Sequence, residues 1–380
     1  MSARDGGQPG RAPGAGPDRR PRSTWSAPGR LNLIGEHTDY NDGYVLPLAL
    51  PYATTASVSA RDDGVLSVRS VQRGAADLPV ADLAPGSVEG WAAYVAGVVW
   101  ALREAGHDVA GGFDVAVDGS VPEGAGLSSS AALECSVAAA LADLLGLGVD
   151  RAGLARLAQH AENDFVGMPS GVMDQMASML CTDAHALFLD CRSLATEQVP
   201  LDPAASGLAV LGVDSRTPHQ LTDGAYAERR QICEQAAAAL GVPALRDASR
   251  ADLDRLDGDL RKRARHVVTE NERVLETVAA LRAGRVADIG PLLSASHASM
   301  RDDFEITVPR VDLIAATAEV AGALGARMTG GGFGGCVLAL VPVERAGAVR
   351  DAITTAYAEA GFGAAGFFPA VASPGAWRIG

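Results

Sequence analysis

Between residues 113 and 145 the sequence changes its periodicity twice. Phe113, Val115 and Val117 alternate with polar neighbours, as on a strand with one buried face. Val-Pro-Glu-Gly-Ala-Gly-Leu at 121–127 interrupts that pattern, and Ser128, Ser129 and Ser130 then open an Ala/Leu-rich stretch with helical spacing over 131–145. Strand, glycine loop and helix start in this order commit the region to sheet layered with helix. They also form an anion site. The first-turn amides of a helix lack partners, its dipole places partial positive charge there, and glycines let the backbone approach a phosphate closely. A Walker A loop is excluded, because no Gly-Lys-Ser/Thr follows and the single lysine, Lys262, lies elsewhere. Serines at a helix start also serve as caps, so the loop alone leaves triphosphate binding and plain capping both open.

Alternating apolar positions predict further strands at Thr54–Ser59 and Val65–Val71, with a closing strand at Val337–Val341. Helical spacing predicts helices over 152–163, 224–240, 265–283 and 310–324. Strands dominate early and helices dominate after about residue 220, a pattern that fits two α+β domains with a ligand cleft between them. Residues 1–24, rich in Pro, Gly, Arg and Asp, offer nothing to bury and are expected to be a disordered tail. The domains are then expected at 25–198 and 199–380.

Composition narrows the function. The 380-residue chain is 48% hydrophobic and 21% charged, as expected of a globular protein with a large core. Its formal net charge of −14 and lack of a basic stripe argue against nucleic acid. Five widely spaced cysteines without a Cys-x-x-Cys, and seven histidines without ligand spacing, indicate neither disulfides nor zinc. The apolar runs are too short for a bilayer and the N-terminus lacks an apolar signal core, so a cytoplasmic protein is expected, without membrane or nucleic-acid partners.

Residues 27–47, Ala-Pro-Gly-Arg-Leu-Asn-Leu-Ile-Gly-Glu-His-Thr-Asp-Tyr-Asn-Asp-Gly-Tyr-Val-Leu-Pro, crowd Arg30, Asn32, Glu36, His37, Asp39, Tyr40, Asn41 and Asp42 into positions that no helix or strand pattern asks for. An ordinary turn would explain Asn, Asp and Gly. It does not explain Arg, Glu, His and Asp at this density, which is hydrogen-bonding equipment for a polyhydroxylated ligand. Further along, Asp174 follows Met-Pro-Ser-Gly-Val-Met at the first turn of a helix, where a carboxylate is either a cap or a functional group held ionised by the dipole.

The 27–47 run resembles the galactokinase signature, and galactokinases belong to the GHMP kinase superfamily of small-molecule kinases. Val121–Ala132 and Met-Thr-Gly-Gly-Gly-Phe-Gly-Gly-Cys at 328–336 are similar to two further superfamily motifs. Met168–Gln175, Leu221–Arg230 and Ser296–Glu305 are similar to bacterial galactokinases, and the resemblance spans residue 25 to about 380. It implies the two-domain GHMP kinase fold with the active site in the interdomain cleft. It also implies ATP-dependent phosphorylation of the C1 hydroxyl of α-D-galactose, as in galactose catabolism. By this resemblance Asp174 is the base and Arg30, an always-charged guanidinium beside it, stabilises the transferring phosphoryl group. Glu36, His37, Asp39, Gly171 and Tyr226 line the sugar pocket. Trp91, Gly124, Gly126, Leu127, Ser128, Ser129, Ser130 and Ala131 hold ATP, and Ser129 and Glu162 bind Mg2+. The substrates are small molecules and the expected state is a monomer. Taken as bare residues, Glu162 could be a solvated helix residue, Trp91 a packing residue and His37 a structural histidine. Ser170, where a cysteine is common, and the long N-terminal tail depart from the family pattern without removing a catalytic group. A ligand sensor without turnover and a kinase for a neighbouring sugar such as N-acetylgalactosamine or arabinose remain as alternatives. The intact Ser128–Ala132 run and Asp174 count against the sensor.

Overall fold

The computed structural model describes residues 21–122, 124–217 and 222–380. The chain begins with strands β1 (Arg22–Asn32), β2 (Tyr44–Val45), β3 (Pro47–Ala60), β4 (Val65–Ser70) and β5 (Gly74–Pro79). Helix α1 (Ala92–Glu104) leads to β6 (Gly112–Gly119), followed by α2 (Ser129–Leu145), α3 (Arg151–His160) and α4 (Met173–Leu180). Strands β7 (His185–Asp190), β8 (Thr196–Pro200) and β9 (Leu208–Asp214) precede α5 (Thr222–Leu240), α6 (Gly258–Arg282), α7 (Gly290–Ser299) and α8 (Pro309–Val320). The chain closes with β10 (Gly325–Thr329), β11 (Cys336–Pro342), α9 (Ala346–Glu359), β12 (Gly366–Pro369) and β13 (Trp377–Arg378).

A six-stranded sheet, ordered β13-β1-β3-β6-β4-β5, forms the N-terminal half. Its buried positions, Val58, Val68 and Val115 among them, pack with Val95 and Val98 of α1 and with Ala138 and Leu141 of α2. Every residue of α2 from Ala131 to Ala142 is buried, and its small alanines let the helix lie close against β1 and β3. The C-terminal half is built on a four-stranded sheet, β10-β11-β9-β12, whose Val213, Val337 and Ala326 pack with Ile314 of α8 and with Ile353 and Tyr357 of α9. A third cluster, including Leu31, Leu33, Leu46, Val274, Val278 and Leu338, joins the two halves.

Every predicted helix and strand is present, with shifted ends. The 152–163 helix is regular only to His160 and then widens into a π-turn over Ala161–Val166, which carries Glu162 inward to 7% exposure. The helix expected over 265–283 starts earlier, at Gly258, and the one over 310–324 stops at Val320. Two boundaries are corrected. Residues 22–24, expected in the tail, belong to β1, where Arg22, Ser23 and Thr24 pair with Ser59, Val58 and Ser57 and the Ser23 hydroxyl donates to Asp143 at 2.6 Å. The rest of that expected tail, residues 1–20, lies outside the described residues. At the other end the chain leaves the C-terminal half, since β13 pairs with β1 and Ala376 joins the N-terminal core, so 199–380 is not one unit to its last residue. Among the described residues no helix is long and apolar enough to cross a membrane.

Candidate active site

The pairing of β1 with β3 slips between Pro28 and Arg30, and this irregularity turns the Arg30 amide away from the sheet to donate to the Leu127 carbonyl at 3.0 Å. A side chain at Gly29 would sit 2.6 Å from the same carbonyl, so only glycine allows the strand and the loop this close. The Arg30 side chain is thereby aimed at the first turn of α4. Its Nε and Nη2 donate to the two oxygens of Asp174 at 2.7 and 2.8 Å, and Nη1 donates to the Gly126 carbonyl at 2.7 Å. This bidentate fork orients the carboxylate as a single hydrogen bond could not. A second donor to Asp174 Oδ2 is the Ser128 hydroxyl.

Asp174 and Arg30 open onto a cavity of about 600 Å³ also lined by His37, Asp39, Gly171, Tyr226 and the glycine run Gly330–Gly335. Burial, reinforced by the nearby Asp174, raises the Asp39 carboxyl to about 6. Gly171 has to be glycine, because a Cβ there would fall 1.8 Å from Asp39 Oδ2. His37 Nε2 lies 3.1 Å from the Gly331 carbonyl and Nδ1 lies 2.7 Å from the Tyr40 hydroxyl. The carbonyl can only accept, so Nε2 carries the proton and Nδ1 accepts from Tyr40. Burial and the neighbouring His266 push this imidazole down to about 3, so it is neutral. The two glycine clusters face each other, with a Cβ at Gly330 coming 3.3 Å from the Gly126 carbonyl and the Cys336 thiol donating to Ala125 at 3.0 Å.

A smaller cavity of about 220 Å³ lies beyond the start of α2, between Trp91, Tyr94, Gln72, Ser129 and Ser130. Trp91 donates its indole N–H to the Arg73 carbonyl at 3.1 Å, which holds the ring at the cavity wall. Glu162 accepts from Gln175 at 2.7 Å and Ser170 at 3.0 Å, and burial raises its carboxyl above the usual range. Beside it, Gln175 Oε1 and Glu134 Oε1 are buried without a partner among the described residues.

The comparisons with known proteins follow the same outline. Three family models match: the galactokinase galactose-binding signature at residues 17–60, the GHMP kinases N terminal domain at 93–182 and the GHMP kinases C terminal at 277–359. Galactokinase of Streptomyces coelicolor is 53% identical over 94% of this chain and 95% of its own length. The chain belongs to the galactokinase family. Galactokinase of Mycobacterium tuberculosis is 48% identical over 93% of this chain and 98% of its own. The crystal structure of Lactococcus lactis galactokinase complexed with galactose superposes with a TM-score of 0.90 at 37% identity, covering 94% of this chain and 95% of that one. A mevalonate kinase at 15% identity and a TM-score of 0.66 shares the GHMP fold.

Within this galactokinase-family fold, the predicted sugar-side residues surround one cavity and Trp91, Ser129 and Ser130 surround the other. Three residues are placed in ways that the sequence did not reveal. Leu127 and Ala131 are buried at 1% and line neither cavity, and the Leu127 carbonyl accepts from the Arg30 amide. Glu36 is 2% exposed and has both oxygens engaged, one with Arg327 and the other accepting from Gly330 N at 3.0 Å. The sequence reading also missed Arg327 itself, fully buried in β10, together with Glu270, Ser296 and His266 behind it. A charge inside the apolar stretch 325–329 was the available signal, since buried charges are kept only when paired.

Proposed function

We propose that the chain transfers the γ-phosphoryl group of ATP to the C1 hydroxyl of α-D-galactose, with the sugar in the larger cavity and the nucleotide across the start of α2, its base toward Trp91. The observation that carries this reading is Asp174, aimed into a sugar-sized cavity at the mouth of a phosphate loop and fixed there by Arg30. In the reaction a bond forms between the C1 oxygen and the γ-phosphorus. The bond from that phosphorus to the β–γ bridging oxygen breaks, and the hydroxyl proton passes to Asp174. Phosphoryl transfer needs little activation of the nucleophile, so orientation of the hydroxyl is the larger part of what Asp174 contributes. Arg30 lies where charge accumulates on the transferring group. Asp39 offers an acceptor to the sugar hydroxyls, and an epimer that leaves a buried acceptor unpaired is penalised far more than a missing methylene would be. Glucose is therefore expected to be a poor substrate.

The donor set fits magnesium, which takes hard oxygen ligands and keeps several waters. Ser129 and Glu162 would hold it together with phosphate oxygens, and the orphaned oxygens of Gln175 and Glu134 offer acceptors to ordered water around it. When bound, the ion supplies charge neutralisation on the phosphates. All five cysteines are free thiols, which supports a cytoplasmic, reducing setting. The halves on either side of the cleft, roughly 22–198 with the C-terminal strand and 199 to about 370, are read as the two domains. A coupled ATP-turnover assay across free monosaccharides, with phosphorus NMR of the product, tests the function. Galactose 1-phosphate is expected, and phosphate at C6 or absence of turnover would reject it.

A further inference from the structure

Ser128 does not behave as a helix cap. The residue before a helix normally has extended backbone angles and turns its side-chain oxygen back onto the first-turn amides. Ser128 instead has φ 57° and ψ 53°, and its side chain makes no capping bond. A left-handed backbone is unfavourable for a non-glycine residue, and glycine would relieve it. The segment contains glycines at 124 and 126 with φ of 70° and 74°, yet the next left-handed position carries serine. Its hydroxyl donates to Asp174 Oδ2. With that proton committed, Ser128 has none to offer a nucleotide phosphate, since a hydroxyl has one donor and otherwise accepts.

The lone pairs of Asp174 explain what this arrangement achieves. Each carboxylate oxygen has about two acceptor positions. Among the described residues, Oδ2 receives Arg30 Nη2 and the Ser128 hydroxyl, while Oδ1 receives Arg30 Nε alone. We infer that Ser128 is a positioning residue for phosphoryl transfer, held in a strained conformation so that its hydroxyl saturates Asp174 Oδ2 and leaves Oδ1 as the oxygen that faces the sugar hydroxyl. This inference rests on the reading of Asp174 as the group that receives that proton, and it moves Ser128 from the nucleotide's contacts to the acceptor's. Without the hydroxyl, the carboxylate has two nearly equivalent oxygens and a smaller fraction of encounters has the geometry for transfer.

Two substitutions separate this role from a structural one. Ser128→Gly removes the hydroxyl and the strain together, and Ser128→Ala removes the hydroxyl while keeping the strain. Turnover of galactose and ATP, affinity for ADP and for galactose by calorimetry, and the melting temperature are measured for both, with Asp174→Asn as the separate check on Asp174. Both Ser128 variants are expected to lose about 10- to 100-fold in kcat, the span that one hydrogen bond to a charged group carries. Affinities should stay within about threefold, and Ser128→Gly should melt no lower than the parent. The inference is overturned if Ser128→Gly keeps kcat within about twofold, or if its loss appears as weaker ADP binding, which would return the hydroxyl to the phosphates. A lower melting temperature of Ser128→Gly, with activity lost in proportion, would also overturn it. Near-parental kcat in Asp174→Asn rejects the reading of Asp174 itself, whereas an inactive Asp174→Asn beside an active Ser128→Gly rejects only the role of Ser128.

Discussion

Asp174 and Asp39 border the same cavity with different partners, and the difference sets their chemistry. Asp174 has a bidentate arginine and a hydroxyl. Asp39 has burial and the neighbouring negative charge of Asp174, which raise its carboxyl to about 6. Asp174→Asn keeps the shape while removing the charge and the proton acceptor, so kcat is expected to fall by about 10² or more, the usual span of general-base catalysis. Galactose affinity should remain within a few-fold, and a rate close to the parent's would reject the assignment. On the proposed reading Asp39 would accept hydrogen bonds from the sugar hydroxyls best as a carboxylate, and it protonates as the pH falls through about 6. KM for galactose is therefore expected to rise below pH 6 with ATP held saturating. Asp39→Asn should show the weak, low-pH KM at every pH, and a variant whose KM still climbs on acidification would show that another group is responsible.

At the scale of elements, what was legible in the sequence was what repeats. The helices at 131–145 and 224–240 and the strand at 113–117 announce themselves because their apolar positions recur at 3.6 or at 2. Helix α1 is buried almost all round from Ala92 to Leu102 and shows little contrast between faces, so no periodic signal marked it. The widening of α3 at Ala161 has no local signature, being imposed by the packing that draws Glu162 inward. Tertiary pairing likewise decided the start of β1, since Arg22–Thr24 gain order from β3, from the Ser23 bond to Asp143 and from Ile379 N on the Thr24 carbonyl. The polar crowding of the segment after β1 stood out in the sequence, but its anchoring did not, because it rests on α6. His266 there makes contact with the Glu36 carbonyl at 3.1 Å and with the Ser299 hydroxyl at 3.0 Å. Burial pushes His266 down to about 4, so the folded protein keeps it neutral while the unfolded chain charges it below about 6.5. The folded-state value is depressed, so the stability linked to this group is fully present above pH 6.5 and is lost as the pH falls from there toward 4. His266→Asn should be less stable than the parent at pH 8, and the gap should narrow on acidification by up to about 1.4 kcal/mol per pH unit. Denaturant melts of both proteins at pH 8, 6 and 5 measure it, and a gap that does not change with pH would refute the linkage.

For the whole molecule the question is what holds two halves in register around a cleft that has to admit two substrates. The described surface carries many arginine–carboxylate pairs, such as Arg250 with Glu272 and Arg282 with Glu197, all four side chains exposed. Pairs of this kind are worth about 0–1 kcal/mol once solvent and side-chain entropy are counted, so their number does not explain the assembly. The buried cluster around Arg327 is of another order. Arg327 and Glu270 are fully buried and Glu36 is 2% exposed. Arg327 pairs with Glu36, donates to the Asn32 and Leu33 carbonyls at 3.2 and 3.0 Å and reaches Ser296 at 3.1 Å. Glu270 accepts from Gly35 N at 3.1 Å and from Ser296 at 2.7 Å. One guanidinium thus ties the sugar-side segment of the N-terminal half to β10, α6 and α7 of the C-terminal half, and through Glu36 it seats Gly330 at the cavity wall. Removing the cation strands buried carboxylates, and breaking a buried pair from one side costs about 3–5 kcal/mol. Arg327→Met, similar in length but uncharged, is expected to lower stability by about that amount and to weaken galactose binding together with turnover, because the glycine run loses its anchor. Arg282→Ala, which breaks an exposed pair, should change stability by less than about 1 kcal/mol. Thermal and denaturant unfolding of the two variants side by side decides the matter, and equal, small effects would mean that the buried network does not hold the halves together.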